Sequence, residues 1–143
     1  MKAIIIEQFG NPETFKEADL TTPDVLPHHV LIQVAATSVN PVDYKIRQGV
    51  AANIAPSFPA VLHGDVAGTI VSVGTGVDRF NVGDEVYACA GGVKGTGGAL
   101  AEYMLADVRL VAHKPKSLTM AEAAALPLVS IRELHKKIDP AKI

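Results

Sequence analysis

The sequence has little of three things that whole classes of function require: cysteine, an excess of basic charge and long apolar runs. Cys89 is its only cysteine, which excludes an internal disulfide and a cysteine-rich zinc site. The formal net charge of -2 argues against a nucleic-acid-binding surface, because such a surface concentrates Lys and Arg. No apolar run approaches the ~20 residues of a membrane span, and the run at 3–6 is too short for a secretory signal. We therefore expect a soluble, cytoplasmic protein with no nucleic-acid or membrane partner.

What the sequence does have is the size and composition of one folded domain. Hydrophobic residues make up 48% of the 143 residues and charged residues 20%, with both signs scattered. This balance supplies enough apolar surface for a core and is unlike that of disordered chains. Since the length is close to the commonest domain size, we expect a single core.

Short segments rich in Ile and Val, separated by glycine and proline, dominate the first 111 residues. Many short strands with glycine turns predict a mostly β barrel with a few short helices. Gly68 and Gly74 lie within and at the end of one such segment, where the lack of Cβ permits bending and close approach of backbones. The region between the first two segments is interpreted as a long loop. The predicted strands are 2–7, 30–39, 67–74, 84–90 and 99–111.

Helix signals occur at two places. The stretch 41–47 begins with Pro at a first-turn position, carries Asp43 in that turn and precedes Gly49, which predicts a short helix. Thr119 followed by Glu122 forms a capping box that starts a second helix. Pro127 lacks an amide hydrogen, so we expect a break there before a helical piece over 128–137.

Most candidate chemical groups have a plainer structural interpretation. The glycines at 91–98 and 74–76 match neither the phosphate-binding loop nor the dinucleotide loop, and both predict turns. Cys89 follows an apolar strand and is interpreted as a buried structural thiol. Asp65 and Asp84 each follow a glycine, which predicts that their side chains tie turns or barrel backbone through local hydrogen bonds. The remaining imidazoles are interpreted as surface groups: His28, His29, His113 and His135.

A specific resemblance lies in three blocks: Asn40 to Gly49, Gly64 to Gly68, and the Val73-Gly74 and Gly83-Asp84 pairs. These residues resemble the GroES-like amino-terminal domain of the medium-chain dehydrogenase/reductase superfamily, in its zinc-independent NADPH quinone oxidoreductase-like branch. The resemblance covers most of residues 1–131 and leaves 132–143 as a divergent or truncated helical tail. It implies a GroES-like β-barrel.

The resemblance also implies roles for individual residues. Asn40 would lie beside the nicotinamide ring and bind the cofactor, while Pro41 and Asp43 would border the substrate cleft. Tyr44 or Lys45 would donate a proton or hydrogen bond to the reduced substrate, although the Tyr of several relatives stands at the position of Lys45.

Zinc is not expected in the branch that this chain resembles. The zinc-dependent branch has Cys at the position of Asn40 and His at the position of Gly64. His63 is displaced by one residue, and strand side chains alternate between faces, so it would not replace that ligand.

The implied activity is hydride transfer from NADPH to a quinone, enone or related carbonyl compound. No glycine fingerprint of a Rossmann domain occurs in the 143 residues, so we expect that domain to be absent, NADPH not to bind tightly and the chain to be inactive alone. Apolar surface normally covered by that domain predicts a homo-oligomer. The alternative is a non-catalytic GroES-like binding or assembly module.

Overall fold

The computed structural model describes residues 1–138, and side chains as far as His135. This part of the chain forms eight β-strands, three α-helices and three single-turn 3₁₀ helices. The strands are Lys2–Ile6 (β1), Lys16–Asp19 (β2), His29–Thr37 (β3), Ala60–Val61 (β4), Asp65–Val73 (β5), Glu85–Cys89 (β6), Tyr103–Asp107 (β7) and Val111–His113 (β8). The α-helices are Pro41–Arg47 (α1), Met120–Ala124 (α2) and Pro127–Ile138 (α3), and the 3₁₀ helices are Pro12–Thr14, Ala52–Ile54 and Val108–Leu110.

The strands form two antiparallel sheets that join at one edge. Three strands lie in the order β2-β1-β4 and five in the order β7-β3-β5-β6-β8. The chain between 98 and 102 connects the sheets, since Ile4 donates its amide to Leu100 O and Val34 donates to Glu102 O. A bridge between Ala3 and Ala101 lies at the same junction. The resulting curled β structure with short helices confirms the predicted mostly β fold class.

The main core fills the concave side of the five-stranded sheet. Most of its side chains alternate inward along the strands, as the strand period of two requires, and Phe80 joins them from the loop before β6. Gly68 of β5 lies where a Cβ would collide with the carbonyl of Gln33 on β3, so the predicted close approach of backbones is confirmed. The largest members of this core are Val30, Ile32, Val66, Ile70, Phe80, Val86, Met104 and Val111.

A smaller cluster of apolar side chains lies beneath α1. Ile46 of this helix is 1% exposed and packs with Ile6 of β1 and Leu62, which follows β4. The packing fixes α1 against β1 and the segment that follows β4, while the chain enters the helix from β3. The helix bounds agree with the prediction, and Gly49 has a φ of 83°, the left-handed conformation that suits a residue without a side chain.

Several local predictions are corrected by the structure. The region interpreted as a long loop contains β2 and a 3₁₀ turn, and β4 has no counterpart among the predicted strands. The single strand predicted over 99–111 is wrong. The structure has two strands there, β7 and β8, separated by a 3₁₀ turn, and β8 ends at His113. Both missed strands are four residues or shorter, so they have too few residues to display a period.

The carboxyl-terminal helices agree with their start signals. Thr119 accepts a hydrogen bond from the Glu122 amide, and α2 begins at Met120 as the capping box predicts. Pro127 occupies the first position of α3, so the predicted break is a new helix start. The tail predicted for 132–143 is helical to Ile138, and residues 139–143 lie outside the described residues. No helix within residues 1–138 is long and apolar enough to cross a membrane.

Self-association through α3 is the first prediction. Ile131 and Leu134, three residues apart on this helix, are 43% and 54% exposed. Because exposed apolar side chains favour association, we expect light scattering to give a mass above that of the monomer for the 143-residue chain. The double substitution I131E/L134E should reduce it to the monomer mass.

The control is Val82→Glu, which introduces the same charge at a 62% exposed turn residue and should leave the mass unchanged. A monomer mass for the unsubstituted chain at working concentration would contradict the prediction.

Candidate functional site

The side chain of Asp65 lies at the centre of a buried polar cluster. It is 1% exposed at the start of β5, and its Oδ2 accepts from Asn40 Nδ2 at 2.9 Å and from Ser38 Oγ at 3.1 Å. Its Oδ1 accepts from the main-chain amide of Leu128, in the first turn of α3, at 3.1 Å. One carboxylate thus connects the β3–α1 junction with α3.

The local-turn interpretation is wrong for Asp65. Its partners are 25, 27 and 63 residues away. For Asp84 the interpretation is confirmed, since its carboxylate accepts from the amide of Asn81 three residues earlier. Asp84 also lies 3.2 Å from the ring of His113.

Asn40 is the amino-terminal cap residue of α1, and its side chain is held by Asp65. The residue is 6% exposed, and its own main-chain amide donates to Asp43 Oδ2 at 2.7 Å. Its Nδ2 carries two N–H donors, one of which is used by Asp65, and its Oδ1 is an acceptor. Asn40 is therefore a preoriented amide at the base of the helix.

Of the remaining predicted site residues, two line a cavity and two are exposed to solvent without lining it. Asp43 and Tyr44 line a cavity of ≈ 410 Å³ beside α1. Asp43 is 4% exposed and Tyr44 is 43% exposed. Pro41 and Lys45 are both exposed, so the structure places Tyr44, and not Lys45, beside Asp43 in the cavity wall.

Two further polar residues line the cavity, and neither was predicted from the sequence to belong to the site. Arg47, one turn after Asp43, is 8% exposed and donates from Nη1 to the Gly10 carbonyl at 2.7 Å. Its guanidinium carbon lies 5.9 Å from the centre of the Phe15 ring. His63, between β4 and β5, is also 8% exposed. The position of Arg47 four residues after Asp43 was the available signal, since this spacing places both on one helix face.

Burial sets the charge state of the cluster. Burial raises the pKa of Asp43 above its usual value, and the neighbouring Asp65 adds to this, while the amides of Asn40 and Gly64 and the ring of His63 oppose it. Burial lowers the pKa of His63, although Asp43 and Asp65 favour its charged form. The imidazole is therefore held neutral near pH 7.

Cys89, at the end of β6, is half-buried next to this cluster. Burial raises the pKa of its thiol to about 12, with further contributions from Asp65 and Asp43. Because the thiolate is the nucleophile, this environment agrees with a structural thiol. Within residues 1–138, no three His, Cys, Asp or Glu side chains are grouped to hold a metal ion.

Comparisons with known proteins establish the family. Residues 26–116 match the model of the alcohol dehydrogenase GroES-like domain. The chain belongs to this family. The fold agrees with the crystal structure of an alcohol dehydrogenase superfamily protein from Novosphingobium aromaticivorans at a TM-score of 0.92 and 42% identity, over 100% of this chain and 43% of that one.

Two curated relatives indicate which branch of the superfamily the chain belongs to. A chloroplastic quinone-oxidoreductase homolog from Spinacia oleracea is 37% identical over 85% of this chain and 37% of its own length. The chloroplastic NADPH-dependent alkenal/one oxidoreductase of Arabidopsis thaliana is 40% identical over 90% of this chain and 34% of its own length. The chain belongs with quinone oxidoreductase-like members of the superfamily, as predicted, and spans little more than a third of these relatives. Cytoplasmic location remains a prediction, since both relatives are chloroplastic.

Replacement of the central carboxylate gives the second prediction. Asp65→Asn exchanges a charged acceptor for an amide with two donors, beside the donors of Ser38, Asn40 and Leu128. Since hydrogen bonds to charged groups contribute about 1.5–3 kcal/mol each, we expect a loss of at least about 2 kcal/mol in the free energy of unfolding by urea.

The same substitution at a surface turn, Asp84→Asn, is the control and should cost clearly less. Equal losses of unfolding free energy in the two variants would contradict the prediction, because Asp65 would then contribute no more to stability than a surface carboxylate.

The third prediction concerns the thiol. With a pKa of about 12, Cys89 in the native chain should react with iodoacetamide at pH 8 roughly a thousandfold more slowly than a free cysteine. Denaturation in guanidinium should restore the normal rate. Mass spectrometry measures both rates, and rapid labelling of the native chain would contradict the inferred environment.

Proposed function

We propose that this chain supplies the substrate-side domain of an NAD(P)H-dependent oxidoreductase that reduces quinones, enones or related carbonyl compounds by hydride transfer. The observation that carries the proposal is Asn40, a buried amide fixed by Asp65 at the start of α1, next to a cavity lined by Tyr44. Family membership supports it, and so do the names of the quinone and alkenal/one relatives.

Asn40 suits contact with a nicotinamide. A carboxamide needs both a donor and an acceptor, and the side chain of Asn40 has both. Its hydrogen bond to Asp65 fixes the orientation of the amide, so the entropic cost of orienting it when a partner binds is small. NADPH, when bound, supplies the hydride. We propose NADPH as the cofactor on the strength of the NADPH-dependent relative, and no zinc.

Tyr44 is the better candidate for the proton donor. Reduction of an enone adds the hydride at the β carbon and leaves an enolate, which then takes a proton at the α carbon. Tyr44 lines the cavity and carries a hydroxyl donor, whereas Lys45 is not among the lining residues. The phenolate left on Tyr44 regains a proton from water, which completes the balance.

Pro41 and Asp43 have positioning roles in this account. Pro41 occupies the first position of α1, where its fixed φ favours the helix start. The carboxylate of Asp43 accepts from the amide of Asn40, which holds the cap residue in place. Pro41 would border the cleft from the exposed side, and Asp43 from the buried side.

The fourth prediction tests turnover. Alone, the 143-residue chain should neither bind NADPH saturably, as followed by fluorescence, nor oxidise it with a quinone. Joined to the part of the Arabidopsis relative that this chain does not match, it should oxidise NADPH when an enone is added. Absorbance of the reduced nicotinamide measures the rate, and fluorescence verifies that the chimera binds NADPH.

Substitutions in the chimera assign the roles. Asn40→Ala and Tyr44→Phe should each lower kcat about a hundredfold, because each removes a positioned donor. Lys45→Met, on the same helix, should change kcat less than twofold. A chimera that binds NADPH but does not oxidise it with quinones or enones would overturn the proposal and favour a non-catalytic binding module. A large effect of Lys45→Met alone would move the proton donor to Lys45.

A further inference from the structure

His63 combines three unfavourable features in one side chain. Its φ is 73°, in the left-handed region that residues with a Cβ rarely adopt. The residue is 8% exposed, and its buried Nδ1 has no hydrogen-bond partner among the described residues. Buried polar atoms are nearly always paired, so an unpaired one in a strained residue points to a function.

The surrounding backbone holds this conformation in place. The carbonyl of His63 accepts from the Ala99 amide at 2.8 Å. On the other side, a Cβ on Gly92 would come within 2.8 Å of the His63 main chain, so these backbones are in close contact. The main chain is thus clamped, while the imidazole has no hydrogen bond that locks its rotation about Cβ–Cγ. His63 is one of the residues that line the cavity, so rotation about Cβ–Cγ would bring a ring nitrogen to it.

The cavity pairs this imidazole with a second buried donor. Arg47 has five N–H donors, and its Nη1 is held by the Gly10 carbonyl, which leaves others for a ligand. The opposite wall is apolar and includes Phe15, Val39 and Leu100. An apolar wall facing a few convergent polar groups is the usual form of a small-molecule site, and ≈ 410 Å³ suits a compound of one or two rings.

We propose that this cavity binds the carbonyl end of the substrate, with His63 and Arg47 donating hydrogen bonds to its oxygen and the apolar wall contacting its hydrocarbon part. The proposal rests on the function proposed above, because it identifies the ligand as that substrate. His63 then sets selectivity for a carbonyl oxygen over an apolar group of equal shape.

The test uses two probes of matched shape and no cofactor. Acetophenone carries a carbonyl oxygen where α-methylstyrene carries a methylene group. Titration of the 143-residue chain is followed by NMR of the His63 ring and the Arg47 guanidinium. We expect acetophenone to bind about tenfold more tightly and to shift both sets of signals, since a buried donor left unpaired disfavours the hydrocarbon.

Variants separate the imidazole from the backbone strain. His63→Gly suits the positive φ and removes one of the two donors, so it should weaken acetophenone binding about threefold and reduce its preference over α-methylstyrene, of which the Arg47 donor keeps a part. The control is His28→Gly, because His28 also has a positive φ, 58°, but is exposed and distant in the chain. It should leave both affinities unchanged. If His63→Gly does not fold, the shift of the His63 ring signals by acetophenone in the unsubstituted chain decides the test, and unshifted ring signals on saturation would overturn the proposal.

Equal affinities of the unsubstituted chain for both probes, or no binding of either, would overturn the proposal. Unchanged discrimination in His63→Gly would do the same. Because NADPH takes no part, this failure is distinct from a failure of turnover in the chimera, which leaves the binding result intact.

Discussion

The buried carboxylate of Asp65 is the interaction on which the rest of the site depends. It lies at the first residue of a central strand, where the core of the five-stranded sheet fixes its backbone, and it accepts hydrogen bonds from the β3–α1 junction and from α3. Taking a charge out of water is costly, and several donors are needed to offset that cost. Ser38, Asn40 and Leu128 supply these donors. The carboxylate therefore couples the entry of α1 to the position of the carboxyl-terminal helix.

The helix that carries the candidate site is short and owes its placement to packing and capping. Seven residues are too few for a stable isolated helix, so α1 depends on Ile46 in the cluster with Ile6 and on the Asp43 carboxylate at its cap. The same seven residues direct Arg47 inward and Lys45 outward. The buried side of α1 thus carries both Arg47, which lines the cavity, and Ile46, which anchors the helix in the apolar cluster.

Local signals in the sequence were sufficient for α1, for the capped start of α2 and for the break at Pro127, because each depends on residues within one or two turns. The β class was predictable for the same reason. The partners of Asp65 were not, since they are 25 to 63 residues distant and no local pattern specifies them. The burial of His63 and Arg47 arises from the same tertiary packing. Resemblance to the family directed attention to Asn40, but its connection to Asp65 is a property of the folded chain.

Amide hydrogen exchange of Leu128, measured by NMR in the 143-residue chain and in Asp65→Asn, tests the central claim most directly. Leu128 is in the first turn of a helix, where amides have no partner within the helix, so Asp65 is the acceptor that protects it. The account predicts slow exchange in the unsubstituted chain and fast exchange in the variant, with the side-chain amide signals of Asn40 shifting at the same time. An amide at Leu128 that exchanges as fast as an exposed one in the unsubstituted chain would contradict the account.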